Sequence, residues 1–373
     1  MSWVFWGSVA VLFYTYCGYP AWLWLRGCFR SWPIRSGDCA PFVSIVMVVR
    51  NEAAVIERKL RNLLALNYPS DGREIIVVSD ASTDSTNDIL RSYLKEPSVK
   101  VLFFSEPRGK AAGLNDAVGI AGGKVVVFTD ARQAIEDNAL ELLVRSFADP
   151  DVGCASGELM LGDQPAGQNV RGMGLYWRVE KMVRELESRS GSVIGATGAL
   201  YAVRRELVVP LPPNTILDDV YIPMQVARQG GRVIFVPRAH AWDTADQGRE
   251  REFSRKVRTL AGNYQLLELA PWLLRSENPL RFEFISHKLL RLAAPFALTG
   301  ALVSSIVLPQ PFYRLASLLQ LAFYLLSLLA VLKLARGPLA RVADAAGTFV
   351  VLNSAAVVAF VKFITGRRVA WVR

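Results

Sequence analysis

Between residues 42 and 130, short apolar runs alternate with segments of helical period. The runs are 43–49, 74–79, 99–104 and 125–129, and the segments between them are 53–66, 86–95 and 111–120. Strands alternating with helices of this length predict βαβ units and a parallel sheet. Runs such as IVMVV and VVVF are apolar at every position, so the sheet is expected to be covered by helices on both faces. A second pattern lies outside this region. Residues 1–25, 292–313, 315–332 and 345–361 carry no charge, and about 17–25 apolar residues suffice for a membrane-spanning helix.

The first charge-free stretch lacks a basic start and a small-residue cleavage site, so it reads as a retained anchor and not as a secretory leader. Trp3, Trp6, Tyr14, Tyr16, Tyr19, Trp22 and Trp24 crowd it, as interfacial rings do. Arg26, Arg30 and Arg35 follow it, which places the next segment on the cytoplasmic side of a cell (inner) membrane. Three later spans would then put the basic tail, Lys362, Arg367, Arg368 and Arg373, on the opposite face. That conflict is relieved if one stretch does not cross, and the stretch containing Pro295 is the candidate.

The net charge of +10 changes meaning once it is located. Residues 1–38 carry +2, residues 275–373 carry +9, and the middle 236 residues carry −1. The excess flanks the apolar stretches and suits membrane lipid, so a nucleic-acid partner is not expected. Cys17, Cys28, Cys39 and Cys154 form no C-x-x-C pair and there are two histidines, which argues against a zinc site or a disulfide framework.

Ligands of parallel sheets bind beyond the carboxyl ends of the strands. The four runs are followed by Arg50-Asn51-Glu52, by Ser79-Asp80-Ala81-Ser82-Thr83-Asp84, by Arg108-Gly109-Lys110 with Asn115 five residues on, and by Asp130-Ala131-Arg132. Taken singly, these residues cap helices or make turns: Asp84 suits a cap and Glu52 a first turn. Together they put an acidic rim along one edge. Neither G-x-G-x-x-G nor G-x-x-x-x-G-K-[ST] occurs, so a dinucleotide fold and a phosphate-loop NTPase are not indicated. The rim suits a base, a ribose and a divalent cation on a diphosphate.

These segments resemble the inverting family 2 glycosyltransferases with the GT-A fold. VSIVMVVRNEAAVIERKLRNLLALNYP is similar to that family's first strand and helix, IIVVSDASTDST to its uridine-binding turn, and RGKAAGLNDAV to its Gly-Lys-x-x-Ala-Leu-Asn segment. VVVFTDARQ falls where the family carries Asp-x-Asp, GATGALYAVRREL resembles the acceptor segment, and ILDDVYIPMQVARQGGRV the segment carrying the catalytic base. The membrane plan resembles the chitin-oligosaccharide, hyaluronan, poly-N-acetylglucosamine and cellulose synthases. The resemblance implies an anchor over 1–29, a GT-A domain over 41–248, an amphipathic interface helix over 249–274 and about three spans over 286–366.

It also implies roles. Asn51, Glu52, Asp80, Ser82, Lys110, Asn115, Asp130, Arg132, Arg255 and Arg258 would bind a nucleotide-sugar donor, with uridine diphosphate as carrier. Asp130 would hold Mg²⁺ or Mn²⁺. Gly195, Thr197, Gly198 and Tyr201 would line the site of a saccharide or lipid-linked acceptor. Asp219 would act as base with Asp218 raising its pKa by like charge. Two departures stand out. Arg132 replaces the second carboxylate of Asp-x-Asp, leaving phosphate pairing and local capping open for it. The stretch 255–259 reads RKVRT, without the tryptophan of the processive enzymes. Single-sugar transfer to a polyprenyl-phosphate or lipid-linked acceptor is therefore the first alternative, and an inactive sugar-nucleotide-binding membrane protein the second. Other polysaccharide-assembly proteins are possible partners. Phe253, Val257, Leu260, Tyr264 and Leu267 recur at helical spacing, with Arg251, Arg255 and Arg258 on another face, as in a helix lying at the bilayer surface. Trp177, Trp242 and His240 read more readily as structural residues than as sugar-stacking or metal-binding ones.

Overall fold

The structure is a computed structural model and describes residues 1–162, 175–243 and 249–366. Arg367, Arg368 and Arg373, and the side chain of Arg251, lie outside what is described. The expected strands form as β1 (Val43–Val49), β2 (Arg73–Asp80), β3 (Val99–Phe104) and β4 (Val125–Thr129). They pair in parallel in the order β3-β2-β1-β4. Strands β5 (Ala134–Ile135), β6 (Val152–Leu161), β7 (Leu200–Arg204) and β8 (Arg232–Asp243) extend the same sheet as β4-β7-β6-β8-β5. Here β7 runs antiparallel to both β4 and β6, while β6 and β8 are parallel with two register shifts. The mixed half was not marked by the βαβ pattern.

Helix packing explains the all-apolar strands. Every residue of β1, β2 and β4 is buried. The helix Ala53–Ala65 lays Ile56, Leu60 and Leu63 on one face of the sheet, each contributing about 1.5–3 kcal/mol by burial. The helix Lys110–Gly119 covers the other face with Ala111, Leu114 and Ala117. Gly113 is required there: a Cβ would come within 2.9 Å of both Val48 methyls.

Three C-terminal helices, Arg281–Val307, Pro311–Val331 and Leu339–Ile364, are long and apolar enough to cross a membrane. In Pro311–Val331 only Ser317 and Ser327 are buried, while Leu315, Leu318, Leu319 and Leu325 are exposed, as a lipid-facing surface requires. The Pro295-containing segment is continuous helix with the rest of its span. The N-terminal segment is a different case. It is helical from Ser2 to Phe29 with a π turn at Tyr14–Gly18, and it is not among the helices apolar enough to count as a span. It packs along Leu290–Val307. The predicted amphipathic helix is Arg249–Leu269. Its apolar face is spent on protein: Phe253, Val257, Leu260 and Tyr264 pack with Leu292, Ala355, Ala359 and Phe363 of the spans.

Candidate active site

The strand ends meet at one edge, and backbone strain marks it. Asn51, after β1, and Ala81, after β2, both adopt positive φ (54° and 52°). That conformation is costly for alanine and tends to be kept at functional sites. The two turns are tied together: Asn51 accepts from the Thr83 amide at 2.8 Å, and the Asn51 amide donates to Ser82 Oγ at 3.1 Å. Asp84 accepts from the amides of Thr86 and Ala53, so it serves the starts of two helices. The amide of Glu52 donates to Thr86 Oγ1.

Asp80, at the end of β2, is fully buried. Its carboxylate accepts the backbone N–H of Arg108 at 2.7 Å and of Gly109 at 3.0 Å. Gly109, at φ 85°, makes the turn that only glycine takes cheaply, and it delivers Lys110 as the first residue of the next helix. Asp80 thereby shapes the turn that aims Lys110. Asn115 is engaged elsewhere, exchanging two hydrogen bonds with the backbone of Leu211.

Lys110 is the hub. Its Nζ lies 3.1 Å from Asp130 Oδ1 and 3.0 Å from Asp218 Oδ1. Burial favours the neutral amine, but Asp130 and then Asp218 outweigh it and keep the ammonium charged well above the usual lysine range. Burial likewise works to raise the Asp130 carboxyl, but Lys110, then Lys59 and Arg132, hold it below its ordinary value. Lys59 was not singled out by the sequence. It sits on the buried face of Ala53–Ala65 between Ile56 and Leu60 and donates to Thr129 Oγ1 at 2.8 Å and to the Gln133 carbonyl at 2.7 Å. Burial pulls its pKa down to about 7. The signal was a lysine at an apolar position of a helical period.

Asp218 and Asp219 open the helix Asp218–Arg228, where the helix dipole favours carboxylates. Burial first, and the Asp218 charge second, push Asp219 up to about 6, with Lys288 and Lys110 opposing. Like charge thus contributes to the shift, but desolvation leads it. The residues of the segment 195–201 reach this pair. The Ala196 amide donates to the Asp219 carbonyl at 2.7 Å. A Cβ on Gly198 would stand 3.2 Å from Asp219 Oδ2, and one on Gly195 3.3 Å from Val220. Tyr201 is fully buried, stacked on Phe128, and its hydroxyl donates to Asp218 at 3.3 Å. It bears on the site through Asp218, not as an open sugar platform.

Arg132 is held by Asp243 at 3.1 Å, and Arg255 lies 3.8 Å from the same oxygen. Gln133 Nε2 donates to that oxygen as well, at 3.0 Å. Asp243, at the end of β8, was also not anticipated; it gathers residues separated by more than a hundred positions. Arg258 is half-buried on the same helix as Arg255. His240 is paired with Glu136 at 2.6 Å and the Pro237 carbonyl, a structural role. Trp177 is exposed, and Trp242 lies edge-on to His240.

Among the described residues no three His, Cys, Asp or Glu side chains form a metal cage. The donor set still suits one kind of cation. Asp130 is 42% exposed with one lysine on one oxygen, and Mg²⁺ or Mn²⁺ is often held by one or two carboxylates together with substrate phosphates and water.

Residues 44–209 match the model of "Glycosyl transferase family 2". The chain is 22% identical over 229 residues to the poly-beta-1,6-N-acetyl-D-glucosamine synthase of Staphylococcus aureus, covering 60% of this chain and 55% of the synthase. It is 25% identical over 236 residues to the probable glycosyltransferase YdaM of Bacillus subtilis, with the same coverage. The chain therefore spans about half the length of the curated relatives it matches. In fold it is similar to the mannosyltransferase PcManGT from Pyrobaculum calidifontis, solved in complex with GDP-Man and Mn²⁺: TM-score 0.73, 24% identity, covering 97% of this chain and 99% of that one. Residues 44–209 thus form a family 2 glycosyl transferase domain, built on a GT-A-like fold and linked in one chain to three helices able to cross a membrane.

Proposed function

We propose that the protein is an inverting glycosyltransferase that moves a sugar from a nucleoside diphosphate donor, UDP in the first instance, to an acceptor at the inner membrane during polysaccharide assembly. The observation that carries this reading is the single cluster in which Lys110 bridges Asp130 and Asp218, with Asp219 adjoining. The acceptor oxygen attacks the anomeric carbon, the bond from that carbon to the diphosphate oxygen breaks, and its electron pair leaves with the nucleoside diphosphate. Asp219 takes the proton of the acceptor hydroxyl. Its raised pKa makes it a stronger base than an ordinary aspartate while leaving it ionised at neutral pH. Lys110 offers fixed positive charge where the departing diphosphate gains negative charge. Arg132 and Arg255, anchored on Asp243, add guanidinium groups suited to phosphate.

A divalent cation would be held by Asp130 and would neutralise the diphosphate. The relatives support the assignment: the staphylococcal synthase is named for a polymer of N-acetylglucosamine, and the mannosyltransferase of similar fold was solved with a nucleotide sugar and Mn²⁺. The test is a panel of nucleotide sugars offered to the full chain in lipid nanodiscs, scored for nucleoside diphosphate release with and without Mn²⁺. The reading predicts release from one donor class, stimulated by the metal. Release from no donor would leave an inactive sugar-nucleotide-binding protein as the better reading.

A further inference from the structure

Among the described residues no hydrogen bond or ion pair holds the Asp219 carboxylate, so its direction depends on what packs against it. The segment 195–198 does so. The Ala196 amide donates to the Asp219 carbonyl at 2.7 Å, and Gly198 lies close enough that a Cβ would stand 3.2 Å from Asp219 Oδ2. Two glycines in four residues permit this approach, but they also leave the backbone free to move. The restraint comes from the opposite side, from the helix Leu175–Ser190. Arg184 donates to Thr197 Oγ1 at 2.9 Å, to Ser156 Oγ at 2.8 Å and to the Gly195 carbonyl at 3.3 Å. Ser156, fully buried on β6, accepts the Thr197 amide at 2.9 Å with that same oxygen and donates to the Gly157 carbonyl at 3.0 Å. The guanidinium also lies 4.7 Å from the centre of the Phe235 ring, a cation–π contact. Its planar fork thus meets three neutral acceptors at set positions.

The helix that carries Arg184 is itself fastened on both sides of it. One turn before, Glu180 meets Arg291 and His287 of the span Arg281–Val307. One turn after, Glu187 accepts from the Tyr19 hydroxyl at 2.6 Å and faces His287 Nδ1 at 2.8 Å. A shift of this helix would break those contacts, so Arg184 is presented from a fixed base. We propose that Arg184 is a positioning residue for the transfer: through Thr197, Ser156 and the Gly195 carbonyl it holds the segment 195–198 against Asp219 and so fixes the direction of that carboxylate. A base must point at the proton it takes, and small misplacements of a reacting group are costly in rate. This rests on the transferase reading and adds to it a residue that acts through others.

The test uses the full chain in lipid nanodiscs and the nucleotide sugar that the donor panel selects. Nucleoside diphosphate release gives kcat and the donor KM for Arg184→Lys, Ser156→Ala and Ser188→Ala, and amide hydrogen exchange is read at 195–198. Lysine keeps the charge but lacks the planar fork. Ser156→Ala keeps Arg184 and removes the acceptor it shares with the Thr197 amide. Ser188→Ala is the control: it lies on the same helix, but its hydroxyl accepts the Phe235 amide at 2.9 Å, a bond to β8 and not to 195–198. Arg184→Lys and Ser156→Ala are each expected to lower kcat at least tenfold with the donor KM within twofold. Exchange at 195–198 should quicken at least tenfold in both, with that at 110–115 unchanged. Ser188→Ala should lower the thermal midpoint yet leave kcat within twofold. Full kcat in Arg184→Lys overturns the proposal, because charge alone would then suffice. So does an equal loss of kcat in Ser188→Ala, which would make the effect one of general stability, or a fall in kcat with exchange at 195–198 unaltered. Where Arg184→Lys does not fold, Ser156→Ala decides. Release by the unmodified protein in any of those cases leaves the transferase reading standing; no release from any donor removes both.

Discussion

The parallel strand edge and the helices beside the first C-terminal span are built on different principles. In β1 to β4 each functional group sits at a strand end, a few residues from the strand that positions it, and the parallel register brings the ends together. On the membrane side the contacts join residues far apart in the chain. Tyr14 meets Ser286, Arg26 pairs with Glu283, and Glu187 receives both Tyr19 and His287. The strand edge can thus be read as local motifs. The helices beside the span are an assembly of buried charges, in which loss of one partner strands another.

Substitutions can break this contrast at either end. The largest effect is expected from Asp219→Asn, which keeps the shape but removes the base; turnover should fall by about 10³-fold with donor affinity retained. Lys110→Met should lower kcat by roughly 10²-fold, because it removes the charge facing the diphosphate and also leaves Asp130 and Asp218 without their common cation. Gly198→Ala should cost about tenfold in turnover, since its Cβ would press on Asp219 Oδ2 at 3.2 Å. Stopped-flow or steady-state nucleotide release checks all three. The pH profile sharpens the assignment of the base. A group pushed up to about 6 must be ionised to accept a proton, so kcat/KM should fall about tenfold per unit below that pH and level off above it. A limb near pH 4 would mean that the base is an unperturbed carboxylate. The smallest effect is expected at Lys59→Met, which unpairs the Gln133 carbonyl and removes one partner of Thr129; urea unfolding should show a loss of about 1–2 kcal/mol.

The sequence shows one half of the molecule better than the other for the same physical reason. Strand-length apolar runs and the polar residues behind them placed Asp80, Lys110 and Asp130 along one edge, and the Asp218-Asp219 pair followed from resemblance. Periodicity does not report side-chain pairing between separate elements, so Asp243 and Arg184 went unmarked. Lys288 lies just outside the charge-free stretch that identified its helix, and Lys59 was hidden inside an otherwise ordinary amphipathic period. Asp80 and Tyr201 are fully buried, and they act on the edge through Gly109 and Asp218. The helix Arg249–Leu269, read as lying on the bilayer, has its apolar face covered by the spans. The N-terminal stretch is free of charge, but its Trp, Tyr, Gly and Ser residues leave it less apolar than the three C-terminal spans.

The central claim is one displacement at a carbon placed between Lys110 and Asp219, and product stereochemistry tests it most directly. Proton NMR of the first product formed from an α-linked donor, taken before anomers equilibrate, reads the configuration at the transferred carbon. The account predicts a β product. Retention of the α configuration would mean two displacements or a front-face reaction, and Asp219 would then not be the base of a single inverting step.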